Sequence, residues 1–375
     1  MKTRIALLRE MGRARPYTDS KPLEIVEAEL GDPGPGELLI KMAAAGLCHS
    51  DLSVINGDRP RDMPVALGHE AAGIVEAVGP HVTRFQPGDH VVLVFAPSCG
   101  HCVPCAEGRP ALCEPAAVAA GKGSLITGSK RISVGQEVVN HHIGVSAFSD
   151  YAVVSEASCV KIDKSIPLDQ AALLGCAVLT GVGAVLNSGG LKTGQTCAVV
   201  GLGGVGLAGL LGAIAAGART VIAVDLAQDK RELALKLGAT HAIDPSEEGA
   251  VEKLRALTGG GVDLAVELAG AVPALQFAYA ITRRGGTTVT AGLPNPQAEF
   301  KIPAVSLTAN EHALKGSYMG SCVPVRDIPR FAQMMVQGQL PIPELMTHTL
   351  KLEEINEGFE RLAAGEAIRQ VVVFD

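Results

Sequence analysis

The chain reads as an α/β protein in which a doubly wound parallel sheet is inserted into a β-rich domain that the C-terminal segment completes. Three features carry that reading. Between about residues 170 and 320 short apolar strands alternate strictly with helix-period segments; before 160 the chain is irregular and β-prone; after 320 Pro-rich pieces return to the earlier style. A length of 375 residues accommodates two domains of about 100–200 residues each.

In the first part, β-prone runs at 38–42, 73–78, 90–95 and 151–154 are separated by turns such as Asp32-Pro-Gly-Pro-Gly36 and Gln86-Pro-Gly-Asp89. In the second, strands are expected at 196–200, 220–224, 241–243, 263–267 and 286–290, with helices at 204–216, 228–238, 248–257 and 272–283 between them. A terminal strand is expected at 370–374.

Composition excludes several function classes. Apolar residues make up 47 % and charged residues 19 %, enough to build a core, which argues against a disordered chain. A net charge of −7, with Phe 8, Tyr 4 and Trp 0, offers neither a basic field for phosphate backbones nor stacking platforms, so no nucleic-acid partner is expected. The first ten residues lack the apolar segment of a signal peptide, and a cytoplasmic location is expected. Residues 170–191 and 193–218 lack charge and are long enough to span a bilayer, but their glycines and strand-turn pattern read as a buried α/β core, and no membrane association is expected.

Gly201-Leu-Gly-Gly-Val-Gly206 follows an expected strand and opens an expected helix. Gly201 permits the tight turn, Gly203 admits a pyrophosphate, and Gly206 lets helix pack on strand, while Gly204 and Val205 begin a helix whose N–H groups face the phosphates. Asp225 ends the next strand 19 residues after Gly206, where a carboxylate holds ribose hydroxyls and repels a 2′-phosphate. NAD is therefore expected rather than NADP, with Lys230 supporting the same ribose.

Cys99, Cys102, Cys105 and Cys113 are interleaved with loop residues Gly100, Pro104 and Gly108. Four thiolates brought together by tight turns suit a tetrahedral structural zinc; an iron–sulfur cluster is the other occupant four thiolates can hold. Cys159, Cys197 and Cys322 read as packing thiols.

These residues, with Gly46-Leu-Cys-His-Ser-Asp51, Gly68-His-Glu-Ala-Ala-Gly73, Gly175-Cys176 before Thr180-Gly181, and Ile368-Arg369, are similar over essentially the whole chain to the zinc-containing medium-chain alcohol dehydrogenases. The resemblance implies a GroES-like catalytic domain formed by 1–177 and 321–375, with a structural zinc lobe at 97–115, and a Rossmann-type NAD-binding domain at 178–320. It implies a catalytic zinc on Cys48, His69 and Cys176, with Glu70 behind the metal and Asp51 accepting the other N–H of His69. Ser50 would take the alcohol proton, and His49 and Arg369 would contact the coenzyme pyrophosphate. Ser53 stands where relatives often carry a relay histidine, so the usual proton route is expected to be absent.

By position, Phe95, His142, Ile143, Leu293 and Tyr318 would line an apolar substrate channel for medium-length or aromatic primary alcohols, with Ala117 and Arg59 nearer its mouth. His142, beside His141, alternatively rides on a solvated loop. The separation of 63 positions from Cys113 to Cys176, which includes a long Gly/Ser/Lys loop at 121–137, resembles that of the dimeric members, implying a homodimer through edge strands near 300–318. Two other functions are open. One is S-(hydroxymethyl)glutathione dehydrogenase, whose members carry an anion-binding arginine where this chain has Ala117. The other is a non-catalytic, zinc-stabilised NAD-binding protein.

Overall fold

The computed structural model describes residues 1–375, which divide into two compact units: Met1–Cys176 with Val323–Gln333 and Ile342–Asp375, and Ala177–Cys322 with Met334–Pro341. The segment Met334–Pro341, expected with the β-rich domain, groups with the second unit.

The second unit is built on a six-stranded, all-parallel sheet. Its strands lie in the order His241–Ile243, Thr220–Val224, Thr196–Val200, Val262–Glu267, Thr282–Thr290, Ala313–Gly316. The chain starts in the middle, runs to one edge, then crosses back and runs to the other. Strand order therefore reverses beside Thr196–Val200, the place where sheets of this kind bind ligands at the carboxyl ends of their strands. Helices Gly204–Ala215, Gln228–Lys236, Ala250–Thr258 and Val272–Ile281 supply the crossovers. The charge-free stretch 193–218 is thus the strand Thr196–Val200 plus the helix Gly204–Ala215, and no single helix is long and apolar enough to cross a membrane.

The first unit contains a closed barrel of five strands (Lys2–Leu8, Leu23–Leu30, Ile132–Val134, Glu137–His141 and Val65–Ala66). Beside the barrel lies a mixed sheet whose central strands are His90–Leu93, Glu70–Val78, Glu37–Gly46 and Arg369–Val373. Barrel closure leaves no free edge, which suits short and irregular strands. The core under the sheet is aliphatic, with Phe148 and Phe359 meeting edge to face at 5.9 Å.

The segment 121–137, expected as one long loop, is instead partly a hairpin, Ile132–Val134 with Glu137–His141, and is clasped by a buried carboxylate. Glu37, 1 % exposed, accepts from Gly34 N at 2.8 Å, Thr127 Oγ1 at 2.6 Å, Arg131 Nε at 2.8 Å and Ser129 Oγ. Burial alone would push its pKa up; the hydroxyl, amide and guanidinium donors overcome that and hold it below its ordinary value of 4.5. A carboxylate depressed on folding adds stability that is present above its unfolded pKa and lost as pH falls through the folded one. Glu37→Gln is expected to cost about 1–3 kcal/mol at pH 7. In thermal melts the gap from the wild type should narrow as the pH is lowered below about 4.

Candidate active site

Strand register brings distant residues to one end of the mixed sheet. Gly46 pairs with Glu70, Ala71 with Leu93, and Val371 with Gly46. Cys48, His69, Phe95 and Arg369 each lie within two residues of these pairs and therefore share that end. Cys48 then begins the helix His49–Ile55, which carries Asp51. Cys176 follows a short turn, Ala172–Gly175, pressed so closely on the neighbouring strand that a Cβ on Gly175 would lie 2.2 Å from Leu93 O.

The ligand atoms of Cys48, His69 and Cys176 all fall within 4.8 Å of one another, and all three residues are buried. Cys176 Sγ lies 3.6 Å from His69 Nε2. On the far side of the ring, Asp51 Oδ2 stands 3.0 Å from His69 Nδ1, while Asp51 Oδ1 accepts from Gly68 N at 3.0 Å. Glu70, wholly buried, receives Arg369 Nη1 at 3.3 Å, and the same Nη1 donates to Leu47 O at 3.2 Å.

The electrostatics call for a cation. A hydrogen bond from Cys176, with His69 and Arg369 nearby, outweighs burial and holds the Cys48 thiol well below its usual range. The same bond, with burial, pushes Cys176 up. Burial disfavours charge on His69, yet Asp51 and Cys48 raise its pKa well above the usual value. Two thiolates and an imidazole are a donor set for zinc that leaves one of four positions for another ligand, and binding the metal would displace protons from its ligands. The residues fit a catalytic metal.

The second cysteine set also converges: Cys99, Cys102, Cys105 and Cys113 place their sulfurs within 4.8 Å of one another. Cys102 N and Cys99 N donate to Cys99 Sγ and Cys113 Sγ, each at 3.3 Å. Backbone donors lower the Cys99 thiol to about 6, whereas burial, with the neighbouring sulfurs, pushes Cys105 up to about 12. Four such sulfurs ionise together only around a cation, and four protein ligands close the shell. All nine cysteines are free thiols, and Cys159, Cys197 and Cys322 are buried.

In the second unit, Gly201 has φ 91°, and a Cβ on Gly206 would meet Gly201 O at 1.8 Å, so the turn itself requires both glycines. Gly203 differs: nothing lies within 4 Å of the place its Cβ would take, so the protein's own packing does not demand a glycine there. The open space precedes the helix Gly204–Ala215, whose first N–H groups have no side-chain cap. That cradle fits a pyrophosphate. Asp225 is fixed by Leu202 N at 2.6 Å and Ala227 N at 2.9 Å. Arg231 is engaged with Asp225 O, Leu226 O and Asp244 Oδ2. Lys230 is half-buried on the following helix.

The remaining expected residues fall as follows. Ser50 is half-buried and His49 exposed on the helix that starts at Cys48, and Ser53 Oγ donates to His49 O at 2.8 Å, so no basic side chain stands at that step. Phe95 and His142 flank the His69 ring edge to face at 5.4 and 5.6 Å. His142 is buried, not on a solvated loop, and burial lowers its pKa to about 4, so it is neutral. Ile143 follows it at φ 41°. Leu293 and Tyr318 belong to the second unit and are 52 % and 43 % exposed. Ala117 is exposed on the helix Glu114–Gly121 and Arg59 is half-buried. Two features lay beyond sequence reasoning: the pairing of Arg369 with Glu70, 299 residues apart, and the approach of His142 to Asp51. No local pattern signals either.

Known proteins share this architecture. The alcohol dehydrogenase GroES-like domain matches residues 34–164, and the zinc-binding dehydrogenase family matches residues 204–337. The NDMA-dependent alcohol dehydrogenase of Amycolatopsis methanolica is 41 % identical over 100 % of this chain and 99 % of its own length. The class-3 alcohol dehydrogenase of Drosophila melanogaster is 38 % identical over 94 % and 95 %. The crystal structure of benzyl alcohol dehydrogenase from Acinetobacter calcoaceticus superposes with a TM-score of 0.93 at 30 % identity, covering both chains completely. With both halves matched and full-length relatives at this identity, the chain belongs to the zinc-containing medium-chain alcohol dehydrogenase family.

Proposed function

We propose that the protein catalyses reversible hydride transfer between a primary alcohol, medium-length or aromatic, and NAD, with one catalytic and one structural zinc per chain. The observation that carries this reading is the convergence of Cys48, His69 and Cys176 into a buried three-donor set, separate from a complete four-cysteine set. A zinc ion in the first set supplies Lewis acidity to an alcohol oxygen, and the nicotinamide ring supplies the hydride acceptor.

The protein's own residues do the rest. Asp51, 3.0 Å from His69 Nδ1, favours the proton on that nitrogen, which would leave Nε2 free to hold a zinc ion. Arg369 neutralises Glu70 and draws the thiolates' charge, and its buried Nε, which has no hydrogen-bond partner in the protein, remains for the pyrophosphate together with His49. Ser50 takes the substrate's hydroxyl proton as it gives up its own, and with no basic side chain at Ser53 that proton passes to solvent or to another base. Phe95, beside His69, and Ile143 are the first-unit residues assigned to the substrate channel, and the family resemblance gives the same role to Leu293 and Tyr318 of the second unit. Gly201, Gly203, Gly204, Val205 and Gly206 seat the pyrophosphate, while Asp225 and Lys230 hold the ribose.

The edge strand Ala313–Gly316 and the adjoining helix Ala304–Ala309, which has no buried residue and exposes Val305 at 73 %, support a homodimer through this edge. The free thiols support a cytoplasmic location. Ala117 in place of the anion-binding arginine ranks S-(hydroxymethyl)glutathione below simple alcohols as substrate.

Three measurements test the reading. Metal analysis is expected to find two zinc ions per chain. Cys176→Ser should lose one of them and more than about 100-fold in alcohol oxidation, while Cys105→Ser should lose the other and lower the melting temperature; a single zinc in the wild type would leave only a scaffold. An alcohol panel followed at the nicotinamide absorbance should show turnover with added NAD. Because one relative is NDMA-dependent, a parallel assay supplies NDMA, and turnover with NDMA alone would overturn the use of exchangeable NAD. Asp225→Gly should lower the NAD-to-NADP ratio of kcat/KM by at least about tenfold, the equivalent of 1.4 kcal/mol; an unchanged ratio would remove Asp225 from coenzyme choice.

A further inference from the structure

We propose that His142 selects the substrate: the site favours alcohols that carry a second hydroxyl a few atoms from the carbinol carbon, able to donate to the His142 ring. The inference rests on the reading that Cys48, His69 and Cys176 form the reacting centre.

The first observation is an unpaid polar group. His142 is 2 % exposed, yet neither ring nitrogen has a hydrogen-bond partner in the protein. Its neighbour His141 is just as buried, but both of its nitrogens are engaged, Nε2 by Arg131 N at 3.1 Å and Nδ1 with Ser146 Oγ at 3.3 Å. The fold therefore satisfies one imidazole and leaves the adjacent one open, a desolvation cost that a phenyl ring of similar shape would not incur.

The second observation is its place. The ring meets His69, one of the three proposed metal donors, edge to face at 5.6 Å. The backbone holds it there: His142 N donates to Ala66 O at 3.2 Å and to Ser146 Oγ at 3.1 Å, and His142 O accepts from Val145 N at 3.1 Å. The turn that follows has left-handed φ at Ile143 (41°), Gly144 (74°) and Ser146 (61°). A β-branched residue such as Ile143 adopts this conformation only at a cost, the kind of strain that gathers at functional sites.

The third observation sets the polarity. Asp51 Oδ1 stands 3.5 Å from His142 Nε2, too far for a good hydrogen bond but close enough for its charge to favour the proton on that nitrogen. Nδ1 is then a buried acceptor in want of a donor. A carboxylate or a carbonyl cannot donate, whereas a hydroxyl can. A site built around such a donor rejects the analogue that lacks it more strongly than an apolar pocket rejects an extra methylene.

The test compares kcat/KM for 3-hydroxybenzyl against benzyl alcohol, and for 1,3-propanediol against 1-propanol, in the wild type, His142→Phe and His142→Asn. Equilibrium binding of the same pairs reads discrimination independently of turnover. The wild type is expected to favour the hydroxylated member of at least one pair by about 10–100-fold. His142→Phe should bring that ratio near one, and His142→Asn, whose Oδ1 replaces the acceptor, should retain part of it. If the wild type oxidises both members equally, or the ratio survives in His142→Phe, the inference falls while the alcohol dehydrogenase reading stands. If the wild type oxidises no alcohol at all, that reading falls and the inference with it. Should His142→Phe fail to fold, the wild-type ratio and His142→Asn decide.

Discussion

The pairing of Glu37–Gly46 with Glu70–Val78, Gly46 opposite Glu70, is the constraint on which the first unit depends. It sets Cys48 and His69 at one end of the same sheet, and the neighbouring pairs Ala71 with Leu93 and Val371 with Gly46 add Phe95 and Arg369. A slip of one residue would turn every side chain of a strand to the opposite face and scatter the donors. Glycine guards the register. A Cβ on Gly73 would lie 2.4 Å from Lys41 O, and one on Gly46 would meet the Glu70 side chain at 3.0 Å.

Register brings charges together, and the charges then need one another. Glu70 and Asp51 are wholly buried, and Arg369 is 5 % exposed. Burying a carboxylate without a partner costs several kcal/mol. Glu70 has Arg369; Asp51 has Gly68 N and the His69 ring. Cys48 is held low and Cys176 high by the bond between them, so a cation is needed for both to be thiolates together. The same logic operates in the four-cysteine set, where one low and one high thiol mark sulfurs that cannot all be ionised without a central cation. His142 stands outside this accounting, since its nitrogens are buried without partners.

In the second unit the corresponding constraint is close approach. Gly201 and Gly206 are needed so that the first helix can rest on the first strand, whereas Gly203 leaves space that nothing in the chain fills. Two glycines are explained by packing and the third by what the turn admits.

What the sequence determined by itself was local. Alternating strand and helix periods placed three strands of the inserted parallel sheet residue for residue, at Thr196–Val200, Thr220–Val224 and His241–Ile243, because each element announces its own periodicity, but not the sixth strand, Ala313–Gly316. Four cysteines within fifteen residues likewise announced a metal set by spacing alone. The barrel was not legible, because its strands are short and their partners far away: Lys2–Leu8 pairs with both Leu23–Leu30 and Val65–Ala66. Nor was the Glu37 clasp on residues 127–131, which turned an apparent loop into ordered structure. Cys48, His69 and Cys176 were found only through family resemblance; their convergence across 107 residues, from His69 to Cys176, is a product of strand register. The burial of His142 beside Asp51 was likewise decided by tertiary structure, since whether a polar ring is solvated or enclosed depends on what the rest of the chain packs around it.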